Sequence, residues 1–502
     1  MQEFDIVLRN ACVNGSHTCD IGIKNEAITA LGLGLVPTED TEVIDCEGAV
    51  VTPGGIDGHV HLAQDRSPRA RAAGYVSADT IETGTRSAVA GGTTTVLLFA
   101  EQAKGQSLKE QVANYHLLAQ EQGSYADYGF HAIITDPTEE VLENELPILA
   151  RTGGIMSMKL FLTYKHMRIS DKQFLKALKK ARELKMVALV HAENGDLVDF
   201  FTEHLEEMGL TEPMYKAIAH PLEAEAEAVN RAVTFSSIMD TPMVIVHVSV
   251  QEPMQIIRKA QSLLKPVFAE TCPQYLLLGK QMLAEEHFCG AKYICSPPLR
   301  SYPKEIEAIW RGIVNGTFTI FSSDHCPYRF NDPQGKQLGF SRDCNGDPKG
   351  IFTKIPNGLP GVETRVPLLF SEGVLKRQCI DVKRFVELTS ENPAKLYGLY
   401  PKKGAIQIGS DADLVIWHQQ ESFIPKRLNH DRDLHDGCDY SPYEGIEFLN
   451  WPRMTLLRGK IVFREGSIVG KRGYGQFIRR KPCSLPFQRR MGKQWNVLQA
   501  AL

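Results

Sequence analysis

The sequence predicts an α/β protein, a closed (β/α)8 barrel joined to a small β-sandwich domain that both chain ends build. Short β-rich segments occur at the two ends, and between them eight apolar runs alternate with amphipathic helical stretches. Eight parallel strands with crossover helices are the number that closes such a barrel. We therefore expect the sandwich over residues 1–53 and 400–470, the barrel over 54–399, and a basic tail over 471–502.

The β-rich ends carry hairpin signals. In the first 50 residues, the runs 4–13 and 20–31 flank a turn signal at Asn14-Gly15. Near the other end, residues 412–417 and 454–463 have the same character, with a turn at Gly459-Lys460. We expect the two ends, although they are far apart in sequence, to pair into one second domain.

The eight apolar runs have the length of buried parallel strands, and predicted helices follow most of them. One helix begins after Ser77 and ends at Gly91-Gly92. Another begins at Ser170, and its apolar side chains recur with a helical period of 3.6 residues as far as Leu184. The runs cover residues 56–61, 95–99, 129–134, 155–161, 187–191, 244–248, 267–270 and 318–323.

The composition is that of an ordinary globular protein, with 502 residues of which 43% are hydrophobic and 23% are charged. The sequence has no stretch of 18 apolar residues, and its N-terminus lacks the basic start and apolar run of a secretory signal. Eleven cysteines without a CxxC pair argue against a disulfide framework and favour the reducing cytosol. We therefore expect a cytoplasmic protein with no membrane partner.

The basic tail, residues 471–502, holds eight lysines and arginines and no acidic residue, although the whole chain has a net charge of −4. Such a tail is either an arm for nucleic acid or membranes, or a strap on an acidic surface of the same chain or of a second copy. Four aromatic residues interrupt the basic ones: Tyr474, Phe477, Phe487 and Trp495. We therefore favour the strap and expect no nucleic-acid partner.

The strongest local signal is the HxH pair His59 and His61, within residues 55–61. Alternate side chains of a strand lie on the same face, so both imidazoles point the same way, as does Asp57. Two imidazoles at a strand end form a bidentate site for a borderline metal ion. Taken alone, the pair is equally compatible with two surface or core histidines.

Further metal-ligating side chains stand at the ends of other predicted strands. His191 and His247 close the fifth and sixth runs, and Asp324 follows the eighth. The carboxyl ends of barrel strands converge on one mouth, where active sites are built. One histidine on an apolar strand is usually a satisfied core residue, but four histidines and one aspartate at the same rim predict a metal site.

Lys159 lies inside the fourth apolar run, where an unpaired ammonium is costly and desolvation lowers its pKa. In one interpretation, its long stem carries the ammonium out to the mouth of the barrel. In the other, its neutral amine adds CO2 to become a carbamate, an anionic ligand that can bridge two metal ions. The residues alone leave both interpretations open.

A series of motifs resembles one enzyme family. The chain is similar to the cyclic amidohydrolases of the dihydropyrimidinase/hydantoinase type at residues 59–61, 158–161, 191–196, 247–249, 270–275, 295–300, 323–326 and 355–358. The resemblance covers roughly residues 4–480, and the motifs occur in family order. Residues 436–445 and 450–452 look most like the eukaryotic, fungal-type dihydropyrimidinases.

The resemblance implies a TIM-like barrel enzyme with two divalent metal ions, usually zinc. The ligands that it assigns are His59, His61 and Asp324 for one ion, His191 and His247 for the other, and an N6-carboxylated Lys159 that bridges both. It also implies a homotetramer in which the basic tail contacts a neighbouring subunit.

The implied reaction is hydrolysis of the cyclic amide (imide) bond of dihydropyrimidines such as 5,6-dihydrouracil and of hydantoins, which gives N-carbamoyl amino acids. A hydroxide that bridges both ions would attack the ring carbonyl. Asp324 would carry its proton to the leaving ring nitrogen, and the Tyr164 hydroxyl would stabilise the oxyanion. Ser296 and Asn357 would bind the substrate, a small cyclic ureide or imide, largely through backbone groups.

Other functions compete with this hypothesis. In dihydroorotases, an arginine two positions after the HxH motif holds the substrate carboxylate, but this chain has Ala63 there. An allantoinase is an open alternative, although residues 296–300 and 356–358 fit dihydropyrimidinases better. A scaffold that resembles the non-catalytic collapsin response mediator proteins would have lost metal ligands, which this chain retains.

The segment after the HxH motif occupies the place of a loop that gates the pocket in the family. Its three arginines, Arg66, Arg69 and Arg71, form either a solvated face or a device that steers an anionic ring substituent inward. Two other features are interpreted as structural. Residues 430–436 resemble a metal site but are expected to form a solvated turn, and His325 is expected to point away from the mouth.

Overall fold

The eight predicted barrel strands form one parallel sheet in sequence order in the computed structural model, which describes residues 3–64 and 68–486. The first and eighth strands meet, because the His61 amide donates to the His325 carbonyl at 2.7 Å and the Ser323 amide donates to Asp57 at 3.2 Å. The predicted fold class is therefore confirmed. The strands are β6 Gly55–Val60, β7 Thr93–Glu101, β8 Asp127–Ile133, β9 Ser157–Phe161, β10 Val187–His191, β11 Met243–Ile245, β12 Val267–Thr271 and β13 Ile320–Phe321.

Successive side chains along each strand point to opposite faces of the sheet, so the barrel has an inner and an outer apolar core. On β7, Leu97 and Phe99 point into the barrel interior, whereas Val96 and Leu98 pack in the cluster that joins the strands to the surrounding helices. Both clusters are almost free of solvent contact. The rigid double-sided sheet fixes where its strand ends, and hence the candidate site residues, lie.

The helices lie between the strands, as the periodicity predicts. Ser170 caps its helix through a reciprocal pair of hydrogen bonds with Gln173, and the helix buries its apolar face around Phe174 and Leu178. Within the described residues, no helix is both long and apolar enough to cross a membrane. The helices are α1 Pro68–Ala73, α2 Ile81–Ala90, α3 Leu108–Gln122, α4 Leu146–Arg151, α5 Asp171–Glu183, α6 Gly195–Glu207, α7 Lys216–Ala219, α8 Leu222–Met239, α9 Gln251–Ser262, α10 Pro273–Leu277, α11 Lys304–Val314, α12 Arg365–Leu369, α13 Val382–Val386, α14 Asn392–Leu396 and α15 His430–Asp433.

Strands from both chain ends form a second sheet, with nine strands in the described part of the chain. The predicted turn at Asn14-Gly15 is present, with φ of 50° and 66°. The second turn lies at Arg458-Gly459, with φ of 43° and 70°, one residue before the predicted Gly459-Lys460, because Lys460 already begins the next strand. The two ends join where β5 pairs antiparallel with β16. The strands are β1 Ile6–Val13, β2 His17–Lys24, β3 Ala27–Gly32, β4 Glu42–Asp45, β5 Val50–Pro53, β16 Leu414–Trp417, β19 Pro452–Leu457, β20 Lys460–Arg464 and β21 Ser467–Ile468.

Two short hairpins lie outside both sheets. One pairs β14 Phe340–Arg342 with β15 Pro348–Gly350, and the other pairs β17 Lys426–Arg427 with β18 Glu447–Phe448. The first follows the loop that leaves the eighth barrel strand, so it belongs to the connections on the side of the barrel mouth.

The first half of the basic tail straps its own barrel. The backbone of residues 476–478 pairs with Tyr128 at the start of β8, and the Lys481 amide donates to the Gly398 carbonyl at 2.9 Å. The Arg480 guanidinium reaches under the barrel and donates to the Phe130 carbonyl. Residues 487–502, with Phe487 and Trp495, lie outside the described residues, so the predicted subunit contact stays a prediction.

Candidate active site

The nine predicted site residues all line one cavity of about 380 Å³ at the carboxyl ends of the barrel strands. The cavity is open to solvent on one side and is closed by loops that follow the strands. The residues are His59, His61, Lys159, Tyr164, His191, His247, Ser296, Asp324 and Asn357. Side chains separated by up to 298 positions in the chain therefore share one space, as convergence at a barrel mouth requires.

His59, His61 and Asp324 form a compact group of metal-ligating side chains. The Oδ1 atom of Asp324 lies 3.2 Å from His59 Nε2 and 3.3 Å from His61 Nε2, and the three ligand atoms all lie within 4.8 Å of one another. Asp324 has a left-handed backbone with φ of 50°, which is strained for a residue with a side chain. This conformation follows the end of β13 and directs the carboxylate at the two imidazoles.

His191 and His247 form the second part of the centre. Their ring centroids lie 4.4 Å apart, and the ring of His247 lies 5.6 Å from that of His59. His247 also has a left-handed backbone, with φ of 41°, just after β11 ends. Its Nδ1 atom is buried and has no hydrogen-bond partner among the described residues. An imidazole nitrogen in that state is suited to binding an ion.

Lys159 lies between the two groups. Its Nζ atom is 3.3 Å from His59 Nε2 and lies over the rings of Phe99 and Phe161, 5.3 and 5.4 Å from their centroids. The residue is 1% exposed, and burial lowers the pKa of its amine to about 8. A larger fraction of this amine is therefore neutral near physiological pH than in a solvated lysine.

The protonation states of the centre suit a divalent cation. Burial holds the pKa of His59 and of His247 well below the ordinary value of histidine, so both are neutral, as metal ligands must be. Burial alone would raise the pKa of Asp324, but the neighbouring histidines and Lys159 bring it below its ordinary value. Neutral imidazoles with a carboxylate are a donor set that zinc and similar ions accept.

Two buried glutamates that sequence reasoning missed hold these imidazoles. Glu193 accepts a hydrogen bond from His191 Nε2 at 2.6 Å, and Glu270 accepts one from His59 Nδ1 at 2.7 Å. Glu270 also accepts from the backbone amide of His247 at 3.1 Å. Carboxylates in this position fix the tautomer and orientation of a metal-ligating histidine. The signal for Glu193 was its position two residues after a candidate ligand.

A chain of buried polar groups extends outward from Glu193. His220 Nδ1 lies 2.7 Å from the second oxygen of this carboxylate, and the Lys216 amine lies 2.8 Å from His220 Nε2. Both residues belong to the region around α7, which the sequence pattern did not connect with the site. The carboxylate of Glu193 is thereby fixed from two sides, and so is the ring of His191.

The remaining predicted residues form the wall opposite the imidazoles. Tyr164, with φ of 64°, places its ring 5.3 Å from that of His191. The Ser296 hydroxyl donates to Asn357 Oδ1 at 3.3 Å, so the loops that carry these residues meet. Hydroxyl and peptide groups thus face the same cavity as the metal-ligating groups.

The residues interpreted as structural have partners away from the cavity. His325 Nε2 lies 3.1 Å from Asp79, and its Nδ1 accepts the backbone amide of Gly361 at 3.0 Å. Asp79, Asp436 and Cys438 form a second group with metal-type spacing. However, backbone amides of residues 437 and 438 already donate to both of its carboxylates.

The predicted gate loop is described only in part. Arg66 lies outside the described residues, only the backbone of Arg69 is described, and Arg71 is exposed. Gln64 and Tyr75, at the two ends of the loop, line the cavity. The steering role of the arginines therefore stays a prediction.

The model of the amidohydrolase family matches residues 50–462 of the chain, which include the whole barrel and every candidate ligand. The chain belongs to the amidohydrolase family. Its enzyme class is therefore that of a cyclic amidohydrolase, as predicted, and amidohydrolases of this family depend on metal ions.

Individual relatives of this amidohydrolase cover nearly its full length. The D-hydantoinase of Ralstonia pickettii is 38% identical over 481 residues, which are 95% of this chain and 99% of the relative. The D-hydantoinase of Geobacillus stearothermophilus is 39% identical over 92% of this chain and 93% of the relative. The crystal structure of the dihydropyrimidinase of Brevibacillus agri superimposes with a TM-score of 0.87 at 38% identity and covers 96% of this chain and 99% of its own. The predicted family is thus confirmed.

Proposed function

We propose that this amidohydrolase hydrolyses the ring imide of dihydropyrimidines, such as 5,6-dihydrouracil, and of hydantoins to give N-carbamoyl amino acids. The observation that carries the proposal is the single cavity in which metal-ligating, proton-transferring and imide-binding groups meet. The relatives named D-hydantoinase and dihydropyrimidinase support the same substrate class.

The proposed centre contains two zinc ions. His59, His61 and Asp324 would hold one and His191 and His247 the other, with Lys159 as an N6-carboxylated bridge. When bound, the ions supply Lewis acidity toward the ring carbonyl and lower the pKa of a water molecule. The position of the Lys159 amine beside His59 and its lowered pKa support the bridge, because only a neutral amine adds CO2.

The protein groups then carry out the proton transfers. The Asp324 carboxylate accepts a proton from the attacking water and delivers it to the leaving ring nitrogen. The Tyr164 hydroxyl donates to the carbonyl oxygen as negative charge develops on it. Backbone groups at Ser296 and Asn357 bind the imide and hold the scissile carbonyl toward the imidazoles. Each residue lines the cavity from a different loop or strand end, which leaves the centre free for the ring.

The test is metal content per chain measured beside turnover of dihydrouracil, hydantoin and allantoin by the purified protein. We expect about two zinc ions per chain, hydrolysis of dihydrouracil to N-carbamoyl-β-alanine, and loss of activity after chelation. Preference for allantoin would reassign the substrate. A metal-free protein without turnover would point to the scaffold instead.

We also infer that the enzyme is a cytoplasmic homotetramer. All eleven cysteines are free thiols, which supports a reducing compartment. Light scattering coupled to size-exclusion chromatography measures the assembly. If residues 487–502 contact a neighbouring subunit, a chain that ends at residue 486 will form assemblies with fewer subunits at the same protein concentration.

A further inference from the structure

A fully buried lysine outside the metal centre holds two substrate-facing loops together. Lys336 is 0% exposed, and its Nζ atom donates to three backbone carbonyls: those of Ile294 at 3.0 Å, Pro356 at 2.8 Å and Gly358 at 2.8 Å. An ammonium has three N–H donors, so this set satisfies it completely. None of the six candidate metal ligands is among its contacts.

The three carbonyls belong to the loops that present Ser296 and Asn357. Ile294 precedes Ser296 by two residues, and Pro356 and Gly358 lie on either side of Asn357. The Gly358 amide also donates to the Ile294 carbonyl at 3.0 Å, so the ammonium reinforces a backbone contact between the two loops. Lys336 is itself fixed, because its backbone amide donates to Arg329 at 2.9 Å.

The Lys336 amine has no acidic partner in the part of the chain that the structure describes, and burial lowers its pKa to about 7. The three carbonyls that accept its hydrogen bonds favour the charged form over the neutral one. No carboxylate of the described residues lies within ion-pair distance of its Nζ atom, which lies 5.8 Å from the centroid of the Tyr328 ring. A buried ammonium is expensive unless it is fully hydrogen-bonded. An apolar side chain of similar size would fill the same space without that cost, but it could not bind three carbonyls at once.

The contact also acts on the peptide that faces the substrate. The Pro356 carbonyl belongs to the same peptide unit as the Asn357 amide. The hydrogen bond from Lys336 to that carbonyl polarises the peptide unit and strengthens its N–H as a hydrogen-bond donor. The lysine therefore sets both the position and the donor strength of a backbone group in the cavity wall.

We propose that Lys336 is the positioning residue of the imide-binding wall, which it builds by joining the Ile294 and Pro356–Gly358 carbonyls. It acts through Ser296 and Asn357 and touches no reacting atom. The proposal rests on the proposed function, since it assumes that these loops bind a ring imide.

The first test compares Lys336→Met with Gln337→Leu. Gln337 lies in the same turn and donates to one carbonyl, that of Phe330 at 2.9 Å, but touches neither loop. We expect Lys336→Met to raise the KM for dihydrouracil about tenfold, with a change in kcat of at most about threefold and unchanged metal content. Inhibition by acetohydroxamate, which binds metal ions without an imide contact, should keep its constant, and Gln337→Leu should change none of these values.

Equal effects on KM and on acetohydroxamate inhibition, or no effect on KM, would overturn the proposal. Lys336→Gln is the second variant, and it keeps part of the donor set without the charge. If neither variant folds while Gln337→Leu does, Lys336 is a folding residue and the positioning role is wrong.

Hydrogen exchange in the metal-loaded enzyme without substrate separates this proposal from the proposed function. Residues 292–299 and 354–359 should exchange faster in the Lys336 variants and at the native rate in Gln337→Leu. A wild-type protein that hydrolyses no cyclic imide would refute the proposed function. If both segments of a folded Lys336 variant exchange at the wild-type rate, the inference that Lys336 holds the two loops together is wrong.

Discussion

Two buried lysines, at opposite ends of the barrel, show how the same side chain acquires opposite properties. Lys159 at the mouth lies beside His59 and two aromatic rings, and burial lowers the pKa of its amine to about 8. Lys403 lies at the junction of the barrel and the terminal sheet. Its amine lies 2.7, 3.0 and 2.6 Å from carboxylates of Asp127, Asp411 and Asp413.

The two lysines are both buried, and the charged groups around each amine account for the difference between their pKa values. Burial alone would also lower the pKa of Lys403, but three carboxylates raise it above the ordinary value of lysine. Lys403 is therefore held as a cation that joins the barrel to the terminal sheet. Lys159 is available as an amine in a place where its charge has little compensation. The surroundings of Lys159 at the mouth favour a reactive amine, whereas those of Lys403 at the junction favour a stabilising ion-pair network.

The largest effect is expected at the mouth. Asp324→Ala should lower kcat/KM for dihydrouracil at least about 10³-fold, because the carboxylate is both a proposed ligand and the proton carrier. The unfolding temperature should change little. Steady-state kinetics beside calorimetry measures both, and retained activity in a folded Asp324→Ala protein would remove the proton-transfer role.

Lys159→Ala should lower kcat about as much, about 10³-fold, since it removes the residue that we propose as the bridge between two metal ions. A short carboxylate such as acetate or propionate, added at millimolar concentration, should restore part of the activity by occupying the space of the carbamate. Activity that stays high without added carboxylate would contradict the bridging role. Lys403→Met is the matched control, and its remaining folded fraction should keep the native kcat.

At the junction, Lys403→Met should lower the free energy of unfolding by about 3–5 kcal/mol, because it removes the cation that three carboxylates share. Asp127 keeps the Arg458 guanidinium at 3.2 Å and Asp411 keeps the Lys402 amine at 3.9 Å, so Asp413 loses most. The folded-state pKa of Lys403 is raised, so its contribution is fully present below the unfolded pKa and is lost as pH rises through the folded pKa. Denaturant titration should therefore give the same difference in free energy of unfolding between the wild type and Lys403→Met at every pH from 6 to 9. A deficit below about 1 kcal/mol would show that the junction does not depend on this cation.

Glu193→Gln should weaken metal binding about 10- to 100-fold, because the amide holds the His191 ring less firmly than the carboxylate does. Competition with a chelator of known affinity measures the constant. Glu223→Gln, on the exposed start of α8, serves as the control and should bind metal like the wild type. Unchanged affinity in Glu193→Gln would mean that the imidazole is held by its other contacts.

The smallest expected effect is on the chemical reactivity of the Lys159 and Lys403 amines. A lysine with a pKa of about 8 is about one-tenth neutral at pH 7 and about nine-tenths neutral at pH 9. Reductive methylation of metal-free protein, followed by mass spectrometry, should therefore modify Lys159 about tenfold faster at pH 9 than at pH 7. Lys403 should stay unmodified at both values, and equal reaction of the two lysines would break the comparison.

The sequence predicts the framework of the site better than its finest geometry. All eight barrel strands could be found because apolar runs mark them, and His59, His61, His191, His247 and Asp324 because they stand at strand ends. Lys159 was found as a charge inside an apolar run, and Tyr164, Ser296 and Asn357 only through the family resemblance. The left-handed backbones of His247 and Asp324, which follow the three residues of β11 and the two residues of β13, could not be found. Local periodicity does not encode such conformations.

The contacts that hold the site residues in place could not be predicted for a different reason. Glu270 and His59 are 211 positions apart, and Lys336 reaches carbonyls 20 to 42 positions away. No motif contains both members of such a pair, and a backbone carbonyl has no residue type that could reveal it. These contacts follow only from the closed barrel.

The terminal sheet imposes an order on biosynthesis. The first five strands pair with one another, but β5 also pairs with β16, and Trp417 donates through Nε1 to the Thr52 hydroxyl 365 positions earlier in the chain. β5 therefore emerges from the ribosome long before this partner. At about 5–20 residues per second, the wait is about 20–70 s. During that time the edge of β5 that later pairs with β16 has no partner, and an unpaired edge is a template on which another chain can pair.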